Sequence, residues 1–577
     1  MRPLRLASLF LTGATAAALA ATAIAQQPQA QPPQDPQAQA PAPVSNPTFS
    51  ESVEVRVLDL DVDVTDSKGQ PVKDLTRDDF TVKIGGKPVN IDYFSRVDMG
   101  TIHAPDLASA SPDQVLSAYK RGEDAYIPRN FLIYVDLGYL PPGLRNRSLE
   151  AARDLITRMG PDDAARVVVF DRLPKVYADW TSSKETIFSA LERIQHEGVG
   201  MSRLRAEEQT VQLIDANPRT RARGLANGRI QLADSYAQEV GAEIQTMLDS
   251  MDQEVATLTP LRGKKSFLFL TGGFEYQPGF VMTQYATGGF GTIQGLNLRD
   301  ITPNIDAVVK NANANEITFY TVDATGLTTD MEGAGGADTI GAKSATSFDP
   351  FGTRPSVAFI ARQDRQNGLQ VLARETGGQA ILNTNAFDRG LDRVYRAVSS
   401  YYSLGVNLSG LPIGKYQDVR VDVKRPGLTV ASRRGFQPRP ESDLVAERAR
   451  ATMGSDLSYG GIPVKLETQP PTPDKKNYLV PVTVLVPASS LTFVPNGDKA
   501  TAKAEYYIGS VDDKGRMSDV SRQEASFQLA SDKVSTDALV RFNAQLLTRK
   551  GNVRVVVNVR DSASGKMGTA RANLRVE

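Results

Sequence analysis

The chain has 577 residues, with 66 Lys and Arg balanced by 66 Asp and Glu, two His and no Cys. At roughly 150 residues per domain, this length predicts three or four domains, and the ordinary hydrophobic share of 41% excludes a wholly disordered chain and a polytopic membrane protein. A net charge of zero argues against nucleic-acid binding, and the lack of Cys excludes disulfides, thiolate metal sites and cysteine nucleophiles.

The first 25 residues have the pattern of a cleavable signal peptide. Arg2 and Arg5 precede an apolar run from Leu6 to Ile24, and Ala25 closes the small-x-small pattern that signal peptidase recognises. We therefore expect residues 1–25 to be removed and the protein to be secreted or periplasmic, touching a membrane only through this peptide. The alternative is a retained membrane anchor. The Gln/Pro-rich residues 26–48 predict a disordered spacer.

Residues 49–127 predict a small β module. Its first strand shows apolar residues alternating with acidic ones over 58–64 (LDLDVDV). This alternation is typical of a strand with one buried and one solvated face. Asp59, Asp61 and Asp63 resemble the start of an EF-hand loop, but the interleaved Leu and Val favour a solvated acidic face, with a calcium-binding edge as the alternative.

Residues 128–400 alternate between short apolar runs and amphipathic helices. The apolar runs cover residues 131–135, 167–170, 266–270, 317–322 and 380–382. Such alternation predicts a doubly wound, mostly parallel sheet with helices on both faces and a ligand edge at the carboxyl ends of the strands. Two Gly/Thr/Ser-rich stretches, 279–295 and 331–355, predict functional or mobile loops.

The β pattern returns after residue 400. Residues 401–440 predict strands that complete a sandwich with the N-terminal module, which would make the α/β domain an insertion. Residues 441–459 predict a linker helix and residues 460–577 a C-terminal β-sandwich. The predicted fold class is therefore α/β plus all-β.

Several segments resemble a known family. Five of them, in order, match the landmarks of a von Willebrand factor A domain: Phe131–Asp136, a helix near Arg147, Pro161–Asp163, Leu270–Gly273 and Phe319–Asp323. Other segments are similar to secreted bacterial "VWFA-related" proteins of the acidobacterial type: Val62–Gly69 with Leu75–Phe80, Leu372–Gly378 and Tyr401–Gly405. The resemblance spans roughly residues 50–440. It implies a protein-binding or adhesion-type module and not an enzyme.

The family's usual chemistry is a metal-ion-dependent adhesion site. That site takes Asp-x-Ser-x-Ser after the first strand, a loop Thr and a later Asp, because Mg²⁺ needs hard oxygen ligands. Here Asp136 stands first, but Gly138 and Leu140 replace the serines and Gly272 replaces the later Asp, while Ser202 stands near the loop Thr. The resemblance therefore implies a degenerate site without a cofactor, with Mg²⁺ or Ca²⁺ at Asp136 as the alternative.

Three loops are expected to converge at the carboxyl edge of the sheet and bind an extracellular or envelope protein: Asp136–Leu144, Gly198–Ser202 and Gly272–Pro278. The residues assigned to this surface are Asp136, Gly138, Tyr139, Ser202, Gly272, Phe274 and Tyr276. Two alternatives stay open. One is a divalent-metal-dependent adhesin using Asp136, and the other is an extracytoplasmic hydrolase with an Asp/Glu site. His103 and His196 are isolated, and no Gly-x-Ser-x-Gly elbow supports a catalytic triad.

Overall fold

The computed structural model describes the following residues: 57–103, 127–197, 200–216, 226–259, 261, 263–287, 299–327, 354–408, 411–438, 440–454, 458–474, 477–496, 499–513, 516–530 and 538–576. The predicted signal peptide, the Gln/Pro spacer and almost all of the predicted loop 331–355 lie outside these residues. Within these ranges, no helix has both the length and the apolar character needed to cross a bilayer.

The described chain begins with short antiparallel strands. They are β1 (Val57–Thr65), β2 (Phe80–Ile84), β3 (Lys87–Val89), β4 (Tyr93–Asp98) and β5 (Thr101–His103). In β1 the side chains of Leu58, Leu60, Val62 and Val64 are buried, as the alternation predicted.

A six-stranded sheet follows. Its strands are β6 (Arg129–Asp136), β7 (Ala164–Asp171), β8 (Leu173–Thr181), β9 (Lys264–Thr271), β10 (Ile317–Asp323) and β11 (Ala380–Ile381). The helices between and after them are α1 (Pro142–Thr157), α2 (Lys184–His196), α3 (Ser202–Asp215), α4 (Ala226–Leu258), α5 (Phe280–Thr287), α6 (Thr302–Ala314), α7 (Arg354–Glu375) and α8 (Phe387–Ser399). The sheet order is β11-β10-β9-β6-β7-β8, and every neighbouring pair is parallel except β7 with β8.

Helices cover both faces of this sheet. On one face, Phe267, Phe269 and Phe319 join a core with residues of α4, α6 and α7. On the other face, Ile133 and Leu268 join a core with residues of α1, α2 and α8. Because successive side chains of a strand point to opposite faces, burial on both faces requires apolar residues throughout, which explains the uninterrupted apolar runs.

Four strands after the α/β domain return to the first module. They are β12 (Tyr401–Asn407), β13 (Gln417–Val423), β14 (Thr429–Ala431) and β15 (Gly435–Phe436). β1 pairs with β12 and β14, β4 pairs with β12, and β2 pairs with β13. Two sheets result, β14-β1-β12-β4-β5 and β15-β13-β2-β3, with a shared apolar core. Strands from both sides of the α/β domain therefore lie in the same two sheets.

The C-terminal part consists of one helix and two sheets. The elements are α9 (Glu441–Gly454), β16 (Lys465–Thr468), β17 (Thr472–Asp474), β18 (Asn477–Pro487), β19 (Val494–Asn496), β20 (Lys499–Asp512), β21 (Ser521–Ala530), β22 (Leu539–Thr548), β23 (Gly551–Asp561) and β24 (Met567–Val576). β18 lies between β22 on one side and β16 and β17 on the other, while β20 pairs with β19, β21 and β23, and β23 pairs with β24. Val445 and Ala449 of α9 pack against Tyr507 and Met567.

Three helices were not among the predicted elements. Residues 279–295 were expected to form a loop, but Phe280–Thr287 is helical, and Val281, Met282 and Tyr285 are buried. Burial on most sides removes the alternation of apolar and polar residues that marks a surface helix. Residues 288–298 of the same stretch lie outside the described residues. α3 and α8 were likewise not predicted.

The acidic face of β1 differs from the expected solvated surface. Asp59, Asp61 and Asp63 are half-buried and line a polar cavity of about 40 Å³ beside the α/β domain. Lys264 Nζ donates to Asp61 Oδ2 at 2.7 Å. Burial raises the pKa of Asp63 to about 6, and Lys264 opposes that rise. The alternation correctly predicted two unlike faces, but it carried no information about which neighbour would cover the acidic one.

Candidate functional site

The carboxyl ends of the parallel strands place polar groups at one edge of the sheet. β6 ends at Asp136 and β9 at Thr271, on adjacent strands. Thr271 Oγ1 donates to Asp136 Oδ2 at 2.7 Å, and the backbone N–H of Gly138 donates to Oδ1 at 3.1 Å. The turns after β6 and β9 therefore meet at the Asp136 carboxylate.

A buried arginine completes this cluster. Arg203 lies on α3, is 0% exposed, and donates from Nη2 to Asp136 Oδ1. Its Nε lies 3.5 Å from Oε1 of Glu243, which also accepts a hydrogen bond from Ser202 Oγ at 2.6 Å. Burial disfavours the charge on Arg203, but Asp136 and Glu243 outweigh it and raise the pKa of the guanidinium. The site therefore holds a permanent cation supplied by the chain itself.

Two glycines are required by the close packing around this cation. A Cβ atom at Gly138 would overlap the guanidinium of Arg203, so a serine at this position would force the arginine out of its bond to Asp136. A Cβ atom at Gly272 would overlap the carbonyl oxygen of Tyr139. The side-chain space at Gly138 is thus taken by the guanidinium of Arg203 and that at Gly272 by the carbonyl group of Tyr139. Leu140 is 2% exposed and packs in the apolar core.

Tyr139 connects the cluster to its neighbours. Its ring centroid lies 5.3 Å from Cζ of Arg203 and 4.0 Å from Cζ of Arg365, distances at which cation–π attraction acts. Its hydroxyl donates to Glu275 Oε1 at 2.8 Å, and Tyr236 donates to the same oxygen. Burial, followed by the charge of Glu275, raises the pKa of Tyr139 well above its ordinary value. The tyrosine therefore acts as a neutral hydrogen-bond donor.

Carboxylates fix the loop that follows β9. Oε2 of Glu275 accepts the backbone N–H of Gly279 at 2.6 Å, and Oδ2 of Asp364 accepts the backbone N–H of Gln277 at 3.3 Å. Arg365, next to Asp364 on α7, donates to Glu207 of α3. Residues 275–279 are therefore held by side chains of the loop itself and of α7.

The end of β10 is tied down in the same way. Asp323 accepts hydrogen bonds from the backbone N–H and the hydroxyl of Thr325 and, at 2.7 Å, from Nε2 of Gln366. In the described part of the chain, no group of three or more Asp, Glu or His side chains is arranged to hold a metal ion.

The structure brings most of the predicted site residues together but buries them. Asp136, Gly138, Tyr139, Ser202, Gly272 and Phe274 are all buried, and Tyr276 is half-buried against the core. Tyr139 and Phe274, expected to contact a partner through their rings, are 2% and 0% exposed. The expectation of aromatic surface contacts is corrected for these two residues, because both rings pack inside the domain. Residues 198 and 199 of the predicted loop lie outside the described residues.

The exposed groups at this edge are different ones. β7 also ends here, and its turn into β8 presents Arg172 and Leu173, the latter 69% exposed. Gln277 is exposed in the loop after β9. Asp171, which precedes Arg172, lies close to Gly200: a Cβ atom built at Gly200 would be 3.2 Å from Asp171 Oδ1. The turn between β7 and β8 therefore borders the Asp136 cluster.

Sequence reasoning missed the residues that complete the site. They are Arg203, Glu207, Tyr236, Glu243, Glu275, Asp364 and Arg365. One signal was available: Leu204, Val211 and Ile214 have the spacing of a buried helix face, and Arg203 and Glu207 lie on that face. Charged residues at such positions are almost never fully buried unless they are paired.

We expect Asp364→Asn to stabilise the protein at neutral pH. Burial, with Glu275 adding to it, raises the pKa of Asp364 from 3.8 to about 6, so ionisation costs more in the folded than in the unfolded state. Stability should therefore fall as the pH rises from about 4 to 6, by on the order of 3 kcal/mol, and the amide removes this loss while still accepting the N–H of Gln277.

Urea unfolding of both proteins between pH 4 and 7.5 measures this difference. The exposed Asp162→Asn serves as the matched control and should follow the original protein at every pH. A stability gap between the Asp364→Asn protein and the original that does not grow with pH would contradict the expectation.

Comparisons with known proteins give only distant similarities. No family model matches this chain, and no curated protein matches it. A solved von Willebrand factor type A structure from Catenulispora acidiphila is 10% identical, with 65% of this chain and 79% of that chain covered and a TM-score of 0.23. An aerotolerance-related membrane protein from Bacteroides fragilis is 13% identical, with 46% and 98% covered and a TM-score of 0.23. The pilus adhesin SpaC from Lactobacillus rhamnosus GG is 8% identical, with 74% and 57% covered and a TM-score of 0.22. At these scores the similarities carry no argument about function.

Proposed function

We propose that this chain is a secreted or periplasmic, non-enzymatic protein-binding module. Its α/β part is a von Willebrand factor A-like, doubly wound domain inserted into a β-sandwich, and its metal site has been replaced by Arg203. Support comes from the mostly parallel sheet with helices on both faces, from Asp136 at the end of a central strand, and from the pairing of β1 with β12.

One observation carries the proposal: the carboxylate of Asp136 is fully committed to groups of the chain. Oδ1 accepts from Arg203 and Gly138, Oδ2 accepts from Thr271, and the side chain is 0% exposed. A divalent ion would have to break the buried ion pair between Asp136 and Arg203, whose guanidinium would keep only Glu243 as a counter-charge, and breaking such a pair typically costs 3–5 kcal/mol. Glu243 and Ser202 carry further oxygens near Arg203, but within the described residues no group of three or more Asp, Glu or His side chains is arranged to hold a cation, which prefers six oxygen ligands.

A guanidinium fixed at the carboxyl edge of the sheet changes how this edge, called the Asp136 rim below, can bind a partner. A metal ion is lost to chelators and completes its coordination with an acidic group of the partner, whereas Arg203 is covalently fixed and already neutralised. Recognition would therefore be independent of divalent cations and would depend on the exposed groups around the cluster. Leu173 is the most exposed large apolar residue there, and we assign it as the apolar contact of this surface.

Affinity capture of partners from an envelope extract of the source cells tests this function. We expect the protein to retain the same partner in Mg²⁺ and in EDTA, and we expect Leu173→Asp to abolish that retention. Leu213→Asp is the matched control, since Leu213 is 46% exposed on α3 and should tolerate the change. Capture that requires Mg²⁺ would support the metal-dependent adhesin instead, and capture unaffected by Leu173→Asp would remove the β7–β8 turn from the binding surface.

A hydrolase is the second candidate, and one observation favours it. Asp364, beside the loop after β9, has its pKa raised to about 6 by burial, close to the range in which a carboxyl works as a general acid. Activity on polysaccharide or peptide libraries that is lost in Asp364→Asn would establish this alternative. We favour the binding module, because hydrogen bonds to backbone N–H groups already give Asp364 a structural role.

A further inference from the structure

Among the described residues of the C-terminal sandwich, β22 is a long edge strand with a single charged residue, Arg541. β22 pairs with β18 in continuous register from Leu539 to Thr548, with no bulge, and it contains no proline. Within the described residues no strand pairs with its other edge. Such an edge presents a row of unpaired backbone N–H and C=O groups that can pair with another chain.

The other edge strands of the described chain are short or protected. β3, β5, β11, β14, β15, β16, β17 and β19 have two to four residues each. β8 is interrupted by register shifts, and β24 is bridged at Gly568 by Gly460. β21 is as long as β22, but it carries Arg522, which is bound to Glu505 and Glu524. Proteins protect their sheet edges with these devices, and β22 has only the single charge of Arg541, so its edge is the least protected of the long ones in the described chain.

The sequence of β22 is complementary to itself in the antiparallel direction. Residues 539–547 read LVRFNAQLL. If two copies pair about a two-fold axis through residue 543, Leu539 faces Leu547, Arg541 faces Gln545, and Asn543 faces Asn543 of the second copy. These five residues are all exposed on the outer side of the strand. No like charges meet in this register, and two apolar pairs form at its ends.

The inner side of the strand is equally self-complementary. Val540 would face Leu546, and the large Phe542 would face the small Ala544. Val540 and Leu546 are each 5% exposed and belong to the sandwich core, whereas Phe542 and Ala544 are only partly buried against it. Pairing would extend the core across the axis and complete the burial of these two residues.

The exposure of two leucines on the outer side of β22 supports the same register. Leu539 and Leu547 are 59% and 47% exposed on the outer side of the strand. They lie at opposite ends of β22, and in the two-fold pair Leu539 of one copy covers Leu547 of the second copy. The described chain therefore leaves open an apolar contact that a second copy supplies.

We propose that this protein forms a two-fold symmetric dimer through β22, which joins the β16-β17-β18-β22 sheets of two copies into one continuous sheet. The interface is isologous, with the same strand contributed by both copies. This proposal rests on different residues from those of the Asp136 rim. A dimer would present two rims to a surface and so increase the avidity of a weak binding site.

The lack of Cys allows a direct test of the axis. Asn543→Cys places two thiols opposite each other, with Cα atoms about 4.5–5.5 Å apart, within reach of a disulfide. Gln545→Cys, equally exposed, places its two thiols four residues apart along the paired strands, roughly 13 Å, beyond that reach. Under mild oxidation we expect the full-length Asn543→Cys protein to form a covalent dimer and Gln545→Cys to stay uncrosslinked. Equal cross-linking of the two variants would overturn the proposed register.

The second test introduces a charge at residue 543, on the two-fold axis, and measures by sedimentation whether the chain is monomeric or dimeric. Asn543→Asp and Asn543→Lys each place like charges in contact, so each alone should be monomeric, while an equimolar mixture of the two should dimerise. Ser526→Asp on β21 is the control and should remain dimeric like the original protein. A monomeric original protein, or a dimer that neither Asn543 substitution weakens, would refute the proposal.

Discussion

Replacing Arg203 by Met should lower the free energy of unfolding by about 3–5 kcal/mol, the usual cost of removing one partner from a buried ion pair. The side chain is 0% exposed, and its loss leaves the carboxylate of Asp136 buried with only Gly138 and Thr271 as hydrogen-bond donors. Met fills a similar volume, so the effect reports on charge rather than on a cavity. Urea unfolding followed by far-ultraviolet circular dichroism at neutral pH measures it.

Two further proteins make this result specific. Arg205→Met changes an exposed arginine on the same helix and should shift stability by no more than about 1 kcal/mol, the usual upper limit for an exposed charge and its partner. Asp136→Asn combined with Arg203→Met removes this ion pair and should recover part of the loss, because a buried ion pair can be replaced by neutral groups at little net cost, while Glu243 still loses its contact with Arg203. If Arg203→Met unfolds like the original protein, the guanidinium is not the counter-charge of Asp136.

Gly138→Ser should destabilise the protein by forcing Arg203 away from Asp136. The new Cβ atom would overlap the guanidinium of Arg203, and overpacking of this kind typically costs 1–3 kcal/mol or more. The cost should largely disappear when Arg203 is replaced by Ala, because the overlapping atoms are then absent. A double-mutant cycle measured by urea unfolding gives the coupling, which we expect to exceed about 1 kcal/mol.

Gly272→Ala is the matched control for that cycle. Its Cβ atom would overlap the backbone carbonyl of Tyr139, which Arg203→Ala leaves in place. We therefore expect Gly272→Ala to be destabilising to the same extent in both backgrounds. Equal costs of Gly138→Ser with and without Arg203 would show that the arginine does not occupy the position of the missing hydroxyl.

Local sequence patterns predicted the framework of the site. The apolar runs located β6, β7, β9 and β10, and parallel pairing then required the residues after them to share one edge. Asp136 ends β6 and Gly272 directly follows β9, positions that depend only on where a strand ends. The alternation in residues 58–64 likewise identified β1 and its two unlike faces.

The chemistry of the site could not be derived in this way. Arg203 is 67 residues from Asp136 along the chain and reaches it only through the packing of α3. The sequence showed which ligands were missing but not which side chain had filled the space. Tyr139 and Phe274 were assigned to the surface because they lie in turns. Tyr139 is instead buried, because it contacts Arg203, Arg365 and Glu275 inside the domain.

The acidic face of β1 illustrates the same limit. Nothing in residues 58–64 indicates that Lys264, at the start of a strand 200 residues later, lies against Asp61. Burial of an ionisable group depends on tertiary neighbours, and only the three-dimensional arrangement of the two modules specifies them.

Calorimetric titration of the chain with Mg²⁺ and Ca²⁺ decides whether Arg203 has taken the place of a metal ion, since an internal cation and an external one compete for the same carboxylate. With Arg203 bound to Asp136, we predict no heat beyond that of dilution for either ion. Tight binding of either ion by the original protein, lost in Asp136→Asn while the fold persists, would contradict the account.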